Sequence, residues 1–305
     1  LQPTDGVAVA RFDEAIKLRV KFSKLKILLL SGFIDQAELE LISKYSLDVV
    51  VFNQQQLDIL QMVKLENPIS IWLKVDTGMK RLGFENEINH LAASLKGNAN
   101  IGDVLLMGHL SSADDLNSQV TLNQIEQFDF IARPLQYATS LANSAGILYW
   151  PKSHKNWNRP GLAVYGVNPT PDIDVDLRPA MSFKGIIIAF KNVNKGQRLG
   201  YGLSFTASKD LLIAIVSVGY GDGLPRCSGN KSRVWIKGKS HLLVGRVSMD
   251  SSYVDVTERK DLVLGDIVEF WGEHIPVEEV AYNVGTIPYE LLVGLTSRVK
   301  VEFTN

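Results

Sequence analysis

The sequence predicts an α/β first half, favoured as a (β/α) barrel, joined to a predominantly β second half. Three observations support this fold class. Short apolar runs alternate with amphipathic segments in the first half, a Pro-rich connector follows at residues 168–172, and β-type runs with tight-turn sequences come after it. With 305 residues and 46% hydrophobic content, the chain can form two domains with separate cores. We place these domains at residues 1–170 and 171–305.

The first half contains five successive pairs of a predicted strand and a predicted helix. Each strand run is short and apolar throughout, which is typical of parallel strands covered by helices on both faces. More than four such units favour a closed (β/α) barrel, although a doubly wound sheet has the same local pattern. The predicted pairs are 7–10 and 13–19, 27–30 and 36–44, 48–52 and 54–64, 70–75 and 88–95, and 104–110 and 117–131.

The second half changes to β-type runs after the sequence NPTPD at residues 168–172, which can hold the chain extended. Sequences such as Lys195-Gly196 and Lys237-Gly238 suit the tight turns between antiparallel strands. Predicted strands cover residues 183–190, 211–218, 233–236, 242–247 and 267–270.

Composition excludes several classes of partner. A formal net charge of −1 and a pI near 6.6 give no attraction to nucleic acid or to an acidic membrane surface. No apolar run approaches the roughly 20 residues that span a bilayer. Cys227 is the only cysteine, and its turn contains no histidine to activate it, so we interpret it as an incidental thiol. A chain without disulfides fits a cytoplasmic location, and we predict no metal site.

Four candidate side chains lie where predicted strands give way to loops, the edge at which barrels carry function. Lys74 and Arg81 belong to the segment KVDTGMKRLG at residues 74–83, His109 follows another strand, and Arg159 precedes a Pro-Gly pair. Each also has an ordinary interpretation. Lys74 can be a strand-end lysine, Arg81 an ion-pair partner, and His109 a structural histidine.

Ser144 lies in the sequence ANSAG, which opens a predicted helix. Free backbone N–H groups and a hydroxyl at a helix start can receive a phosphate group. The same sequence can equally serve only as a helix cap.

Taken in order along the chain, these motifs resemble those of the alanine racemases. The segment at residues 74–83 is similar to the family pattern K-x-D-T-G-M-x-R-L-G. The resemblance continues through NSA at 143–145, RPGLAVYG at 159–166, YG at 201–202, VGYGDG at 218–223, GRVSMD at 245–250 and PYE at 288–290. The last motif departs from the family's N-Y-E-like element in its first residue. A series of ordered motifs over the whole chain is far more specific than any one of them.

The resemblance implies a (β/α)8-type barrel that carries pyridoxal 5'-phosphate, followed by a mainly β domain. It also implies interconversion of L-alanine and D-alanine by a homodimer with shared active sites, each completed by the partner's second domain. For the cofactor phosphate it implies contacts from Ser144, the backbone of Gly161 and Leu162, and the Tyr289 hydroxyl. Arg159 matches the arginine that meets the pyridine nitrogen.

The same resemblance implies catalytic and substrate-binding roles. Tyr201 matches the family's tyrosine acid/base, and His109 matches the residue that supports Arg159. Racemisation removes the α-proton from one face and returns a proton on the other, so it needs two bases. A tyrosine has an ordinary pKa near 10 and must be assisted to act as one.

Substrate contacts are implied for Arg81, near the carboxylate, and for Met249, through its backbone. Tyr220 matches a tyrosine of the access channel. Lys74 occupies the position that many relatives carbamylate, which requires a neutral amine and therefore a buried lysine with a lowered pKa.

One family element has no match in the sequence. Relatives carry a K-A-N-A-Y-G-H-G-like motif near the N-terminus, whose lysine forms the Schiff base with the cofactor and is the second base. We therefore expect the first barrel strand to be absent, either because the chain is a fragment or because the gene product is truncated. We expect the intact protein to be an active racemase and this chain alone to be inactive. A racemase of broader specificity and a non-catalytic pyridoxal-phosphate-binding or dimer-forming protein remain alternatives.

Overall fold

The computed structural model describes residues 5–170 and 173–304, so part of the Pro-rich connector, residues 171–172, lies outside the described residues. The chain divides into two compact units, Leu1–Pro160 and Gly161–Asn305. This division falls ten residues before the boundary predicted at residue 170, and that boundary stays a prediction.

The first unit is a parallel sheet whose strands follow one another in chain order. Its strands are β1 (Val7–Val9), β2 (Ile27–Leu29), β3 (Asp48–Val51), β4 (Ile69–Lys74), β5 (Ile101–Met107) and β6 (Ala138–Ser140). Its helices are α1 (Phe12–Lys21), α2 (Gln36–Lys44), α3 (Gln54–Met62), α4 (Ile88–Ser94), α5 (Gln119–Ala132) and α6 (Ser144–Tyr149). The predicted alternation of strand and helix is confirmed.

Local sequence explains where several helices begin. Asp35, Asn53 and Ser118 precede α2, α3 and α5, and each side chain accepts a hydrogen bond from the third residue after it. Such caps satisfy backbone donors that a helix start leaves unpaired.

Alternate strand residues separate two apolar clusters on the two faces of the sheet. Leu29, Val49 and Ile71 belong to the large core that includes the buried helix residues, whereas Val50 and Trp72 belong to a smaller cluster on the other face. Side chains of a strand alternate between faces, so Lys74 shares the second face with Trp72. We call this second face the inner face.

The described strands form an open sheet of six strands rather than a closed barrel. Beyond β6 an isolated parallel bridge joins Ser140 to Trp157, and within the described residues β1 pairs only with β2. The strand order is that of a (β/α) barrel. The absence of the first barrel strand from this chain, expected from the sequence, stays a prediction.

The second unit contains a closed antiparallel barrel, which confirms the predicted β domain. Its strands are β7 (Phe183–Val193), β10 (Leu211–Val216), β11 (Arg233–Ile236), β12 (Lys239–Val244), β13 (Ser252–Asp255) and β14 (Ile267–Trp271), and a separate hairpin pairs β8 (Arg198–Leu199) with β9 (Phe205–Thr206). Around the barrel the strands follow the order β10-β13-β12-β11-β14-β7. Two helices that we did not predict, α7 (Val277–Val284) and α8 (Pro288–Val293), follow the barrel.

The longest described helix is α5 with 14 residues, and none of the described helices has the length and apolar character to cross a membrane.

A buried carboxyl group lies on the inner face at the start of β3. Asp48 is 8% exposed, accepts a hydrogen bond of 3.1 Å from Trp72 Nε1 and lies 3.8 Å from Lys26 Nζ. Burial raises the pKa of Asp48, although the Trp72 hydrogen bond and the Lys26 charge oppose that shift. A carboxyl group whose pKa is raised by folding favours the folded state most when it is protonated.

We therefore expect Asp48→Asn to raise the melting temperature at neutral pH by about 2 °C or more and to change little in acid. In the unfolded chain the Asp48 carboxyl has the ordinary pKa of 3.8. The stability that protonated Asp48 contributes is therefore complete below pH 3.8 and is lost as the pH rises through the raised pKa of the folded state. An amide can still accept the Trp72 hydrogen bond. Thermal melts across pH, with the exposed Asp5→Asn variant as control, measure the effect, and a melting temperature lowered at neutral pH would contradict it.

Candidate active site

Lys74 ends β4, and the loop after it closes back on the strand. Phe84 N donates to Lys74 O and Asp76 N donates to Phe84 O, each at 2.9 Å. Inside this loop the Asp76 carboxylate accepts a hydrogen bond of 2.8 Å from Gly78 N. The closed loop places Arg81 along one cleft with Lys74, Asp76, Thr77 and His109.

Gly83 makes that closure possible. Its φ of +124° lies in the region that favours glycine, and an added Cβ would lie 2.9 Å from Asp76 N and 3.0 Å from both the carbonyl oxygen and Cγ of Lys74. Gly78 has a similar φ of +120°, but no atom lies within 4 Å of its ideal Cβ position. A comparison of substitutions at the two glycines therefore distinguishes the effect of backbone strain from that of steric contact with Lys74.

Arg159 is held by acceptors from the ends of two strands. Its Nη2 donates to Gly108 O at 2.9 Å, to Leu141 O at 3.2 Å and to His109 Nδ1 at 3.3 Å, and its Nη1 donates to Ser140 Oγ. Nη2 is thus fully used, whereas Nη1 makes one hydrogen bond and Nε makes none to any described residue. These bonds fix the guanidinium and leave Nε, together with the second N–H of Nη1, to donate to a ligand.

This cluster of cations changes the protonation of its neighbours. Burial, together with the charges of Arg159 and Arg81, lowers the pKa of Lys74 to about 7. Burial and the charges of Arg159, Lys74 and Arg81 lower the pKa of His109 to about 3. Burial also lowers the pKa of Arg159, to about 10, which still leaves the guanidinium protonated at neutral pH.

His109 is therefore neutral at neutral pH, and its tautomer follows from its partner. Arg159 can only donate, so His109 Nδ1 accepts and Nε2 carries the proton. Sequence reasoning proposed that His109 supports Arg159, and the structure brings the two side chains together.

Ser144 is the first residue of α6 and is 1% exposed. The helix cap that sequence reasoning left open is made by Asn143, whose side chain accepts a hydrogen bond of 2.9 Å from Gly146 N. The Ser144 side chain is therefore not needed for that cap.

The remaining predicted residues belong to the second unit. No atom lies within 4 Å of the ideal Cβ position of Gly161, so a ligand can approach its backbone, and Leu162 is buried. Tyr201, Tyr220, Met249 and Tyr289 are all exposed, Tyr201 most of all at 63%. Aromatic and apolar side chains in such positions are typical of a surface that meets a ligand or another chain.

Tyr201 lies in a turn built on left-handed backbone. Gly200 and Gly202 have φ values of 76° and 67°, and the ideal Cβ position of Gly202 lies 2.6 Å from Arg246 Nη1. Arg246 therefore packs against the turn that presents Tyr201. Sequence reasoning quoted Arg246 only as part of a motif and gave it no role.

Tyr220 and Met249 lie on two loops that are joined by backbone hydrogen bonds. Tyr220 N donates to Ser248 O at 3.0 Å, and Gly221 N donates to Met249 O at 2.8 Å. A carboxylate only accepts hydrogen bonds, so the N–H of Met249, and not its carbonyl, is the backbone group suited to it.

Arg298 secures these loops from near the C-terminus. Its Nη2 donates to Asp250 Oδ1 at 2.6 Å and its Nε lies 3.6 Å from Asp222 Oδ1. Sequence reasoning missed Arg298 because no motif surrounds it. The described residues contain no group of His, Cys, Asp and Glu side chains that could hold a metal ion.

Comparisons with known proteins give a consistent result. The family description "Alanine racemase, N-terminal domain" matches residues 1–169, and "Alanine racemase, C-terminal domain" matches residues 180–303. The alanine racemase of Shewanella amazonensis is 41% identical over 302 residues, which covers 97% of this chain and 83% of that protein.

Solved structures show the same similarity. The biosynthetic alanine racemase of Pseudomonas aeruginosa superposes with a TM-score of 0.94 at 36% identity, over 99% of this chain and 86% of that one. The alanine racemase of Bartonella henselae, solved with covalently bound pyridoxal phosphate, has a TM-score of 0.87 at 30% identity, over 96% of this chain and 83% of that one.

The geometry of the loop after β4 predicts different effects for its two glycines. Gly83→Ala should destabilise the protein by about 2 kcal/mol more than Gly78→Ala, since both variants strain the backbone but only Gly83→Ala forces a Cβ against Lys74 and Asp76. Urea unfolding of both variants measures this difference. Equal losses would contradict the assignment of a steric role to Gly83.

Proposed function

Because the chain belongs to the alanine racemase family, we propose that its site supports the interconversion of L-alanine and D-alanine with pyridoxal 5'-phosphate as cofactor. The observation that carries this proposal is the arrangement of the half-buried Arg159, which His109 and three further acceptors hold with Nε left to donate. Such a donor suits an aromatic ring nitrogen.

Pyridoxal 5'-phosphate is the cofactor of this family, and when bound it supplies a ring that stabilises negative charge at the α-carbon of an amino acid. The residues of the first unit fit that group. Arg159 remains protonated at neutral pH, so it donates to the pyridine nitrogen instead of transferring a proton to it. Donation without full protonation limits the charge that the ring withdraws, which favours return of the proton over side reactions such as transamination.

We assign the phosphate contacts to neutral donors, each by its match to the family motifs. These are Ser144 at the start of α6 in the first unit and, in the second unit, the backbone of Gly161 and Leu162 and the hydroxyl of Tyr289. The burial of Ser144 and the open space at Gly161 support these assignments.

Tyr201 is the acid/base that we assign to one face of the α-carbon. Its exposure, and that of Tyr220 and Met249, supports the proposal that these residues complete the site of a partner subunit in a homodimer. Arg81 contacts the substrate carboxylate in this proposal, together with the backbone N–H of Met249.

The second base is the lysine of the family's K-A-N-A-Y-G-H-G-like motif, which the 305 residues do not contain. We propose that the family reaction needs that lysine and that this chain by itself does not racemise alanine. The absence of the motif is also what favours a second candidate, a protein that binds pyridoxal phosphate or dimerises without catalysis. A cytoplasmic location is proposed from the single exposed cysteine.

An assay of the 305-residue chain with pyridoxal phosphate tests these proposals in two steps. Quenching of tryptophan fluorescence should report binding of the cofactor, because Trp72 lies on the inner face of the sheet. Formation of D-alanine from L-alanine should stay at the level of buffer with cofactor. Lack of cofactor binding would contradict the cofactor site, whereas turnover at a typical enzymatic rate, about 1 s⁻¹ or faster, would contradict the need for the missing lysine.

The substrate range is tested in a protein in which the family's lysine motif is joined to this chain. Initial rates across a panel of L-amino acids should be highest for L-alanine. Comparable rates for several larger amino acids would favour the broader-specificity alternative.

We also propose that Lys74 reacts with carbon dioxide to form a carbamate and release a proton. The lowered pKa of about 7 leaves about half of the amine neutral at neutral pH. A carbamate would add a negative charge beside Arg81 and Arg159, whose charges help to lower that pKa.

Carbon-13 NMR under ¹³CO₂ should therefore show a carbamate signal that Lys74→Arg abolishes. Lys80→Arg is the matched control, since Lys80 belongs to the same loop but is exposed and paired with Glu85. At fixed dissolved CO₂ the signal should grow from about pH 6 to 8, because deprotonation of the amine precedes its reaction. A signal that survives in Lys74→Arg would assign the carbamate elsewhere.

A further inference from the structure

Gln124 is a buried amide at the carboxyl ends of the strands, outside the set of residues that the family motifs identify. It lies on α5 and is 1% exposed. Its Oε1 accepts from Ser111 N at 2.9 Å and from Ser111 Oγ at 3.1 Å. Its Nε2 donates to His109 O at 3.2 Å and to Thr77 Oγ1 at 3.3 Å. The amide oxygen therefore accepts two hydrogen bonds and the amide nitrogen donates two, which is the full capacity of the group.

These four bonds join two loops that carry residues of the candidate site. Thr77 belongs to the loop between β4 and Phe84, which also carries Arg81, whereas His109 and Ser111 follow β5. The helix that carries Gln124 is itself fixed, because Ile125 and Phe128 lie in the large core. A rigid helix thus holds both loops through one side chain.

The backbone that Gln124 fixes is the same backbone that holds Arg159. Gly108 supplies one carbonyl acceptor to Arg159 Nη2, and the ring of His109 supplies another. Gly108 also has no room to adjust, since an added Cβ would lie 2.6 Å from Leu141 and 2.8 Å from Phe128. A displacement at the His109 carbonyl would reach the guanidinium of Arg159 through these two bonds.

We propose that Gln124 is a positioning residue for the cofactor site. It fixes the position of the Arg159 guanidinium by holding the backbone of residues 108 and 109. It also ties that backbone to the loop that carries Arg81. The proposal deepens the proposed function and rests on it, because the role of Arg159 toward the cofactor ring gives its position a chemical consequence.

The test replaces Gln124 with methionine, which has nearly the same length but cannot make these four hydrogen bonds. Gln127→Met on the same helix is the matched control, because Gln127 is exposed. The main readout is the ¹⁵N NMR signal of the His109 ring in the full chain without cofactor. His109 is one of five histidines, and His109→Asn identifies its signal by loss.

The half-buried ring of His109 reports its own position because the charges of Arg159, Lys74 and Arg81 all act on its protonation. At about pH 5 the parent chain and Gln127→Met should show a neutral ring protonated at Nε2. In Gln124→Met the ring should move away from Arg159 and be partly protonated at that pH, a rise of its titration midpoint by about one pH unit or more. A lowered melting temperature with an unchanged His109 signal would overturn the proposal, since a purely structural role predicts that result.

A second variant and a second measurement complete the test of Gln124. If Gln124→Met does not fold, Gln124→Asn takes its place, because the asparagine side chain is one methylene shorter and its amide cannot reach both loops at once. A raised titration midpoint of His109 in that variant supports the proposal, and an unchanged His109 signal overturns it. Pyridoxal phosphate titrations should show affinity weakened about fivefold or more in the variant but not in Gln127→Met, and equal affinity would overturn the proposal. If the parent chain binds no cofactor, the proposed function fails, while the His109 signal still decides the role of Gln124.

Discussion

The candidate site depends on a group of positive charges that the fold buries at one end of a parallel sheet. Lys74, Arg159 and His109 lie together there, and burial together with the charges of Arg159 and Arg81 makes protonation of Lys74 and His109 less favourable. Burying cations costs free energy unless donors are satisfied or protons are lost. The protein uses both solutions, because Arg159 is surrounded by acceptors whereas Lys74 and His109 lose affinity for their protons.

This constraint explains the chemistry assigned to each side chain. A histidine held neutral presents Nδ1 as an acceptor to Arg159, which a charged imidazole would repel. A lysine with a lowered pKa is a nucleophile, which an ordinary surface lysine at neutral pH is not. The arginine alone keeps its charge, and it is the group that we propose to face the cofactor ring.

Much of the fold followed from the sequence for simple physical reasons. Residues 36–44 and 233–236 were predicted with the bounds that the structure has, because a helix cap or a turn marks their ends clearly. The helices α7 and α8 were missed, since β-type runs dominate the second half and α8 has only 6 residues. Strand β13 was missed as well, because Ser252 and Asp255 bring polar groups to a strand of four residues.

The candidate site was predicted in part, and physical reasons explain which residues were predicted and which were missed. Motifs identified Lys74, Arg81, His109 and Arg159 because their neighbours in sequence are distinctive. Gln124 and Arg298 act across the fold, over 47 residues to Thr77 and 48 residues to Asp250, and nothing in the adjacent sequence marks them. Contacts between distant residues arise only when the chain folds.

The candidate residues of the two units differ in solvent exposure, and the proposed reaction accounts for this difference. Lys74 and Ser144 in the first unit are both buried, and the low solvent exposure of Lys74 strengthens the effect of the neighbouring charges on its amine. Tyr201 in the second unit is exposed and is presented by a turn with two left-handed glycines. A base for the opposite face of the α-carbon has to approach from outside the surface that holds the ring. An exposed tyrosine on such a turn is open to contact with another surface, and this exposure is the physical basis of the proposal that two copies of the chain share a site.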